Sequence, residues 1–301
     1  MASSPPSGKN SLSSTITSHS NEREREKKKK KKRKTAENVL LRSYNLEQVL
    51  GFVKAAERKR SPLIIQLFPW AITHSGGVLV HAAAQAARQA SVPIAVHLDH
   101  CQDEAMVRQA CELPFDSVMV DMSHHAKEEN LARTRALVAY CHERGKAAEA
   151  EPGRIEGGED GVSDTLDLDG LMTTAEEARE FVAAGVDLLA PAFGNVHGEY
   201  GPRGIVLDFE RLKQVNEITK ASNVLIALHG VTGFSDALLQ QLIEAGVRKI
   251  NVNKDILVGY YAVLEQKVNK APFTQVVDEA IEKVAEALAK QMDAVGSSGK
   301  A

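Results

Sequence analysis

Three cysteines, Cys101, Cys111 and Cys141, are all that the 301 residues contain. That is too few for a disulfide framework and fits a reducing compartment. No run of eighteen apolar residues occurs, so no membrane helix is expected. The N-terminus lacks the apolar stretch of a secretory signal. The expectation is therefore a cytoplasmic protein that does not enter the membrane. Positive charge is also missing from most of the chain. Net charge is −3 overall, yet residues 1–34 hold eleven Lys/Arg against three Glu, a net of +8. Residues 35–301 must then carry −11. An acidic body has no broad basic face for nucleic acid.

Residues 1–21 are rich in Ser, Thr, Pro and Asn, and residues 22–34 read EREREKKKKKKRK. Such a segment cannot bury a core, so residues 1–36 are expected to be a disordered polybasic tail. A lysine run can act as a nuclear address or an anionic-surface patch, which leaves a nuclear fraction open beside the cytoplasmic one. A solvated extension is the plainer reading.

From about residue 39 the pattern changes. Short apolar runs recur at 39–44, 63–67, 94–98, 117–121, 146–151, 187–191, 224–228 and 249–253. Runs of this length read as buried parallel strands. Amphipathic segments separate them. In 46–59, Leu46, Val49, Leu50 and Val53 fall on one stripe. In 128–144, Leu131, Leu137, Val138 and Cys141 do the same. A helix over 235–245 is expected to start at Ser235-Asp236 and stop before Gly246. A last helix is expected at about 273–294. Eight alternations argue for an α/β fold of the (β/α)8 TIM-barrel type, spanning 37–295. Residues 296–301 are expected to fray.

Barrel chemistry sits at the C-terminal strand ends. Those ends carry His97, Asp99 and His100, then Asp121, then Glu149 and Glu151, then Asn195, His197 and Gly198, then His229 and Gly230, and finally Asn251, Asn253 and Asp255. Three imidazoles, His100, His197 and His229, with one open position suit a catalytic Zn²⁺. His97 reads as a hydrogen-bonding neighbour of the site. Asp99, beside His100, either shuttles a proton or orients a ligand. Glu149 and Glu151 share a strand face, which suggests a second cation or a salt bridge to Arg154. The Gly-rich loop 153–161 places Glu159 as a candidate group delivered by loop closure. Gly198, Gly230 to Thr232 (including Val231), and Asn251 to Lys254 (including Val252 and Asn253) come from loops where barrels bind phosphate.

The runs VHLDHC (96–101), EAEPGRIEGGEDG (149–161), FGNVHGEYG (193–201), LHGVTG (228–233) and KINVNKD (249–255) resemble the class II, zinc-dependent fructose-bisphosphate aldolases and the related tagatose-bisphosphate aldolases. The resemblance covers about residues 43–260 in order. It implies His100, His197 and His229 as zinc ligands, and Asp121 and Glu151 at an alternative or second metal position. It implies Asp99 as the proton donor and acceptor at the cleaved bond, and Glu159 at the dihydroxyacetone phosphate carbon. It implies Gly198, Gly230 to Thr232 and Asn251 to Lys254 as substrate contacts. A second divalent or a monovalent cation, and a homodimer or larger homo-oligomer, follow from the same likeness. The implied reaction is cleavage of a ketose bisphosphate, fructose 1,6-bisphosphate by default. Phe68, Pro152, Glu156, Lys254 and Leu257 depart from the family's pattern, so tagatose bisphosphate stays as an alternative. A non-catalytic sugar-phosphate-binding barrel is the alternative of another class.

Overall fold

The strands from residue 63 onward are short, β-branched or alanine-rich, and almost wholly buried, as strands covered on both faces must be. The computed structural model describes residues 38–158 and 170–301. The polybasic tail and Glu159 lie outside the described residues. The chain runs β1 (Asn38–Arg42), α1 (Leu46–Lys59), β2 (Leu63–Leu67), α2 (Pro69–Ser75), α3 (Val78–Gln89), β3 (Ile94–Cys101), α4 (Glu104–Glu112), β4 (Ser117–Val120), α5 (Lys127–Glu143), β5 (Ala147–Ala150), α6 (Ala175–Ala183), β6 (Leu188–Leu189), α7 (Phe209–Ala221), β7 (Leu225–Leu228), α8 (Asp236–Glu244), β8 (Val247–Val252), α9 (Lys254–Lys267) and α10 (Phe273–Ala294). The strands close into one barrel in sequence order. All eight neighbouring pairs are parallel, β1 with β8 included.

Strand alternation divides the side chains into two layers. Val96 and Leu98, Val118 and Val120, Ala148 and Ala150, Ile226 and Leu228, and Ile250 and Val252 join the large core under the helices. Met119, Ala190 and Ala227 form a separate small cluster. The residues that alternate with the outer layer include Gln66, His97, Glu149 and Lys249, all buried. The barrel interior is therefore largely polar, which is costly unless its groups pair with one another.

The helix caps follow local chemistry. Ser235 caps α8, its hydroxyl accepting from Leu238 N at 3.2 Å. Gly246 follows with φ +118°. Thr174 and Glu177 form a reciprocal capping box at the start of α6.

Two expectations are corrected. On α1, Leu46 and Leu50 are exposed, and the buried face is Gln48, Val49, Gly51, Phe52, Ala55 and Ala56. The reason is close approach: a Cβ on Gly51 would stand 2.8 Å from Val284 Cγ1 on α10. Small residues, not the leucines, make that seam. At the other end, residues 296–301 do not fray. Ser297 is buried, its hydroxyl bonded to Ser61 Oγ at 2.8 Å. The Gly299 and Ala301 N–H groups donate to the Lys59 and Arg60 carbonyls, each at 2.8 Å.

The α1 seam makes a prediction against helix propensity. Alanine ordinarily gains about 0.5–1 kcal/mol over glycine inside a helix. Here Gly51→Ala should lose about 1–3 kcal/mol by overpacking. Urea unfolding measures it, and a variant as stable as the parent would refute the seam.

Candidate active site

His100 reaches the site through an irregularity. The β3–β4 register shifts between Leu98 and Cys101, and His100 has φ 44°. A regular strand would send the adjacent Asp99 and His100 to opposite faces. The bulge turns His100 back toward the barrel mouth. A left-handed histidine is a strained choice, and such strain collects at functional sites.

The histidines are fixed from behind by carboxylates. His100 Nδ1 lies 2.8 Å from Asp121 Oδ2. The other Asp121 oxygen accepts from the Ser123 hydroxyl at 2.7 Å and the Ser123 N–H at 3.1 Å. His229 Nε2 lies 2.9 Å from Glu149 Oε1. A carboxylate accepts only, so both of these ring nitrogens carry the proton. The remaining nitrogens, His100 Nε2 and His229 Nδ1, then face each other at 3.0 Å. Two lone pairs so close repel unless a cation or proton lies between them. His197 completes the group, its ring 4.8 Å from that of His100 and 5.7 Å from that of His229. One ligand atom from each of the three lies within 4.8 Å of the others. Three buried imidazoles, two of them backed by carboxylates, fit a borderline metal such as zinc.

A second group, His100, Asp121 and Glu151, meets the same proximity and shares His100 with the first. Glu149 is not part of it. Its second oxygen lies 2.6 Å from Lys249 Nζ, so the expected pairing of Glu149 with Glu151 around one cation does not occur. Arg154 donates from Nε to the Ser123 carbonyl at 3.0 Å. Glu151 accepts from Ile155 N at 2.7 Å.

Asp99 is fully buried, 3.8 Å from His97 Nε2 and 3.4 Å from Asn251 Nδ2. His97 Nδ1 contacts Ser117 Oγ at 2.7 Å. Burial and then the Lys249 charge hold His97 down at about 3, so it stays neutral. Burial opposes a charged His100, but Asp99, Asp121 and Glu151 together outweigh it and raise the group to about 9. Burial next to Asp121 pushes Glu151 up to about 8.

Next to the histidines lies a cavity of about 430 Å³. Gly198, Gly230, Val231, Thr232, Asn251, Asn253 and Lys254 line it together. Val252 does not, because strand alternation turns it into the outer core. Gly158, the residue before Glu159, also faces the cavity. The N-terminus of α9 opens onto it through Asn253 and Lys254. Gly230 has φ +71°, and a Cβ there would sit 2.2 Å from the Val196 carbonyl oxygen. Sequence reasoning missed Tyr44, Val258 and Tyr261 on the cavity wall, and it missed Lys249. Nothing in a strand-forming KINVN run marks its lysine as buried.

The sequence profile described as fructose-bisphosphate aldolase class-II matches residues 28–300. The chain belongs to the class-II fructose-bisphosphate aldolase family. Members of this aldolase family are carbon–carbon lyases, generally zinc-dependent, acting on small phosphorylated sugars. A family relative from Coccidioides immitis (strain RS), named "Putative fructose-bisphosphate aldolase", is 52% identical over 266 residues, covering 86% of this chain and 88% of its own. A crystal structure under a like designation from the same organism matches with TM-score 0.86 at 51% identity, covering 89% of this chain and 94% of that one. The YdjI aldolase of Escherichia coli K12 matches with TM-score 0.75 at 28% identity, covering 88% and 93%. No described helix is long and apolar enough to cross a membrane.

The buried charges give metal-free aldolase a pH dependence. Glu151 in the fold keeps its proton up to about 8, whereas the unfolded group loses it near 4.5. His100 keeps its proton to about 9 against 6.5 unfolded. Both raised groups stabilise at low pH and lose that contribution as pH rises. The His97 contribution has the opposite sign but is complete above 6.5. Chelator-treated protein should thus lose thermal stability between pH 6.5 and 9, less steeply in Glu151→Gln. Differential scanning calorimetry across that range tests this, and a flat profile in the parent would contradict it.

Proposed function

We propose that this chain is a zinc-dependent aldolase that cleaves a ketose bisphosphate, by default fructose 1,6-bisphosphate, to dihydroxyacetone phosphate and an aldehyde phosphate such as glyceraldehyde 3-phosphate. The observation that carries the reading is the buried trio His100, His197 and His229, with ligand atoms close enough to share one ion, beside a cavity lined by Gly198 and Gly230, the residues that follow His197 and His229. Zinc held by these residues supplies a Lewis acid for the ketone oxygen.

The residues of the chain supply the rest. Asp99, next in sequence to His100 and buried among His97 and Asn251, takes the proton from the hydroxyl on the carbon that becomes the aldehyde. The adjoining carbon–carbon bond then breaks, and its electron pair stays on the ketone-bearing fragment. Glu159 returns a proton to that fragment, which becomes dihydroxyacetone phosphate. The position of Gly158 on the cavity wall supports this role for its neighbour. The phosphate of that fragment is assigned to backbone groups at Gly198 and Gly230, the Thr232 hydroxyl and the positive end of α9. Asp121 and Glu151 offer the alternative metal position.

The far phosphate is less well provided for. Lys254 lines the cavity, but its Nζ is 2.8 Å from Glu199 Oε1, and Leu257 stands one turn along α9. This favours keeping tagatose bisphosphate beside fructose bisphosphate as a substrate.

Release of dihydroxyacetone phosphate from both sugars, with and without chelator, tests the proposal. Chelation should abolish cleavage and added zinc restore it. Asp99→Ala should lower kcat by about 10²–10⁴. Sugar binding without chelator-sensitive cleavage would instead support a non-catalytic barrel.

A further inference from the structure

A buried charged pair in the barrel stands against His229. Lys249 and Glu149 are both buried, with Nζ and Oε2 2.6 Å apart. They come from β8 and β5, on opposite sides of β6 and β7. Such a pair is expensive to desolvate, and replacement by apolar residues is often neutral or stabilising. Its presence here points to a use beyond stability. Glu149 Oε1 supplies one, since it lies 2.9 Å from His229 Nε2. The chain of contacts thus runs from ammonium to carboxylate to imidazole, ending at His229 Nδ1, 3.0 Å from His100 Nε2.

We propose that Lys249 and Glu149 are positioning residues that hold His229 in the Nε2–H tautomer, so that Nδ1 is the atom presented to the metal. This rests on the zinc reading of the three histidines. Lys249 holds the Glu149 carboxyl in place through Oε2. Glu149 in turn fixes both the ring orientation and the proton of His229. His97 stands 3.6 Å from the Glu149 oxygen that pairs with Lys249. Being neutral, it adds no second cation to compete for that oxygen. Asp121 does the same for His100 from the other side, but with hydroxyl and amide donors from Ser123 in place of a lysine. Lys249 is thus a structural cation on the strand next to the one that ends at His229. An amide at position 149 cannot replace the carboxylate. If its oxygen accepts from His229, its NH2 group faces the Lys249 ammonium.

The test measures zinc affinity of the full chain by competition with a chromophoric chelator at fixed pH. Glu149→Gln and Lys249→Met should each weaken zinc by about 10- to 100-fold. A core variant on α8, Leu239→Ala, loses stability without touching the site and should bind zinc as the parent does. If Lys249→Met fails to fold, Glu149→Gln carries the test. A second readout is ¹⁵N NMR of histidine-labelled, zinc-loaded protein. The signals lost in His229→Gln should show a protonated Nε2 and a metal-bound Nδ1. Zinc affinity in Glu149→Gln within about threefold of the parent, or a protonated Nδ1 on His229, would overturn the proposal. Failure of the parent to bind zinc would overturn the metal reading itself, a distinct result.

Discussion

Everything at the mouth of this barrel depends on two hydrogen bonds that commit histidine nitrogens to carboxylates. Asp121 accepts a hydrogen bond from His100 Nδ1–H, and Glu149 accepts one from His229 Nε2–H. Each bond uses up one side of a ring and leaves the other as a bare acceptor. Because the two acceptors face one another at 3.0 Å, the site is electrostatically incomplete without positive charge. The metal-free protein answers with a proton on His100, held up to about 9 against the cost of burial. A metal ion answers the same need without borrowing a proton from solvent. The polar barrel interior is the scaffold for this arrangement.

Strand alternation explains why the scaffold is polar at so little cost to the core. From β2 to β8 the strands send one set of residues to the helices and the other to the axis. The outer set is aliphatic almost throughout. Much of the inner set pairs within itself: His97 with Ser117, Glu149 with Lys249 and His229, and Asn251 with Asp99, while the buried Gln66 amide makes no hydrogen bond among the described residues. The small apolar cluster of Met119, Ala190 and Ala227 fills part of the remaining space.

How much of this was legible in the sequence depends on the range of each interaction. The run 63–67 and the helix at about 273–294 were readable, because length and periodicity are local. Caps such as Ser235 were readable for the same reason. The burial of α1 was not. Its leucines form a plausible stripe, and only the nearness of Val284 at Gly51 shows that another face is packed. The convergence of His100, His197 and His229 could be inferred once a barrel was assumed. The bulge that makes Asp99 and His100 face one way could not, since neither residue type favours it. Lys249 was unreadable because its partner is 100 residues earlier in the chain.

The backbone at position 100 carries one more implication. Its φ of 44° suits glycine or asparagine better than histidine. A residue chosen for conformational ease would relax the turn and discard the ligand. Selection for thermal robustness and selection for turnover therefore pull this codon in opposite directions. A substitution made there for stability alone would yield a sturdier barrel without the imidazole on which the proposed metal site rests.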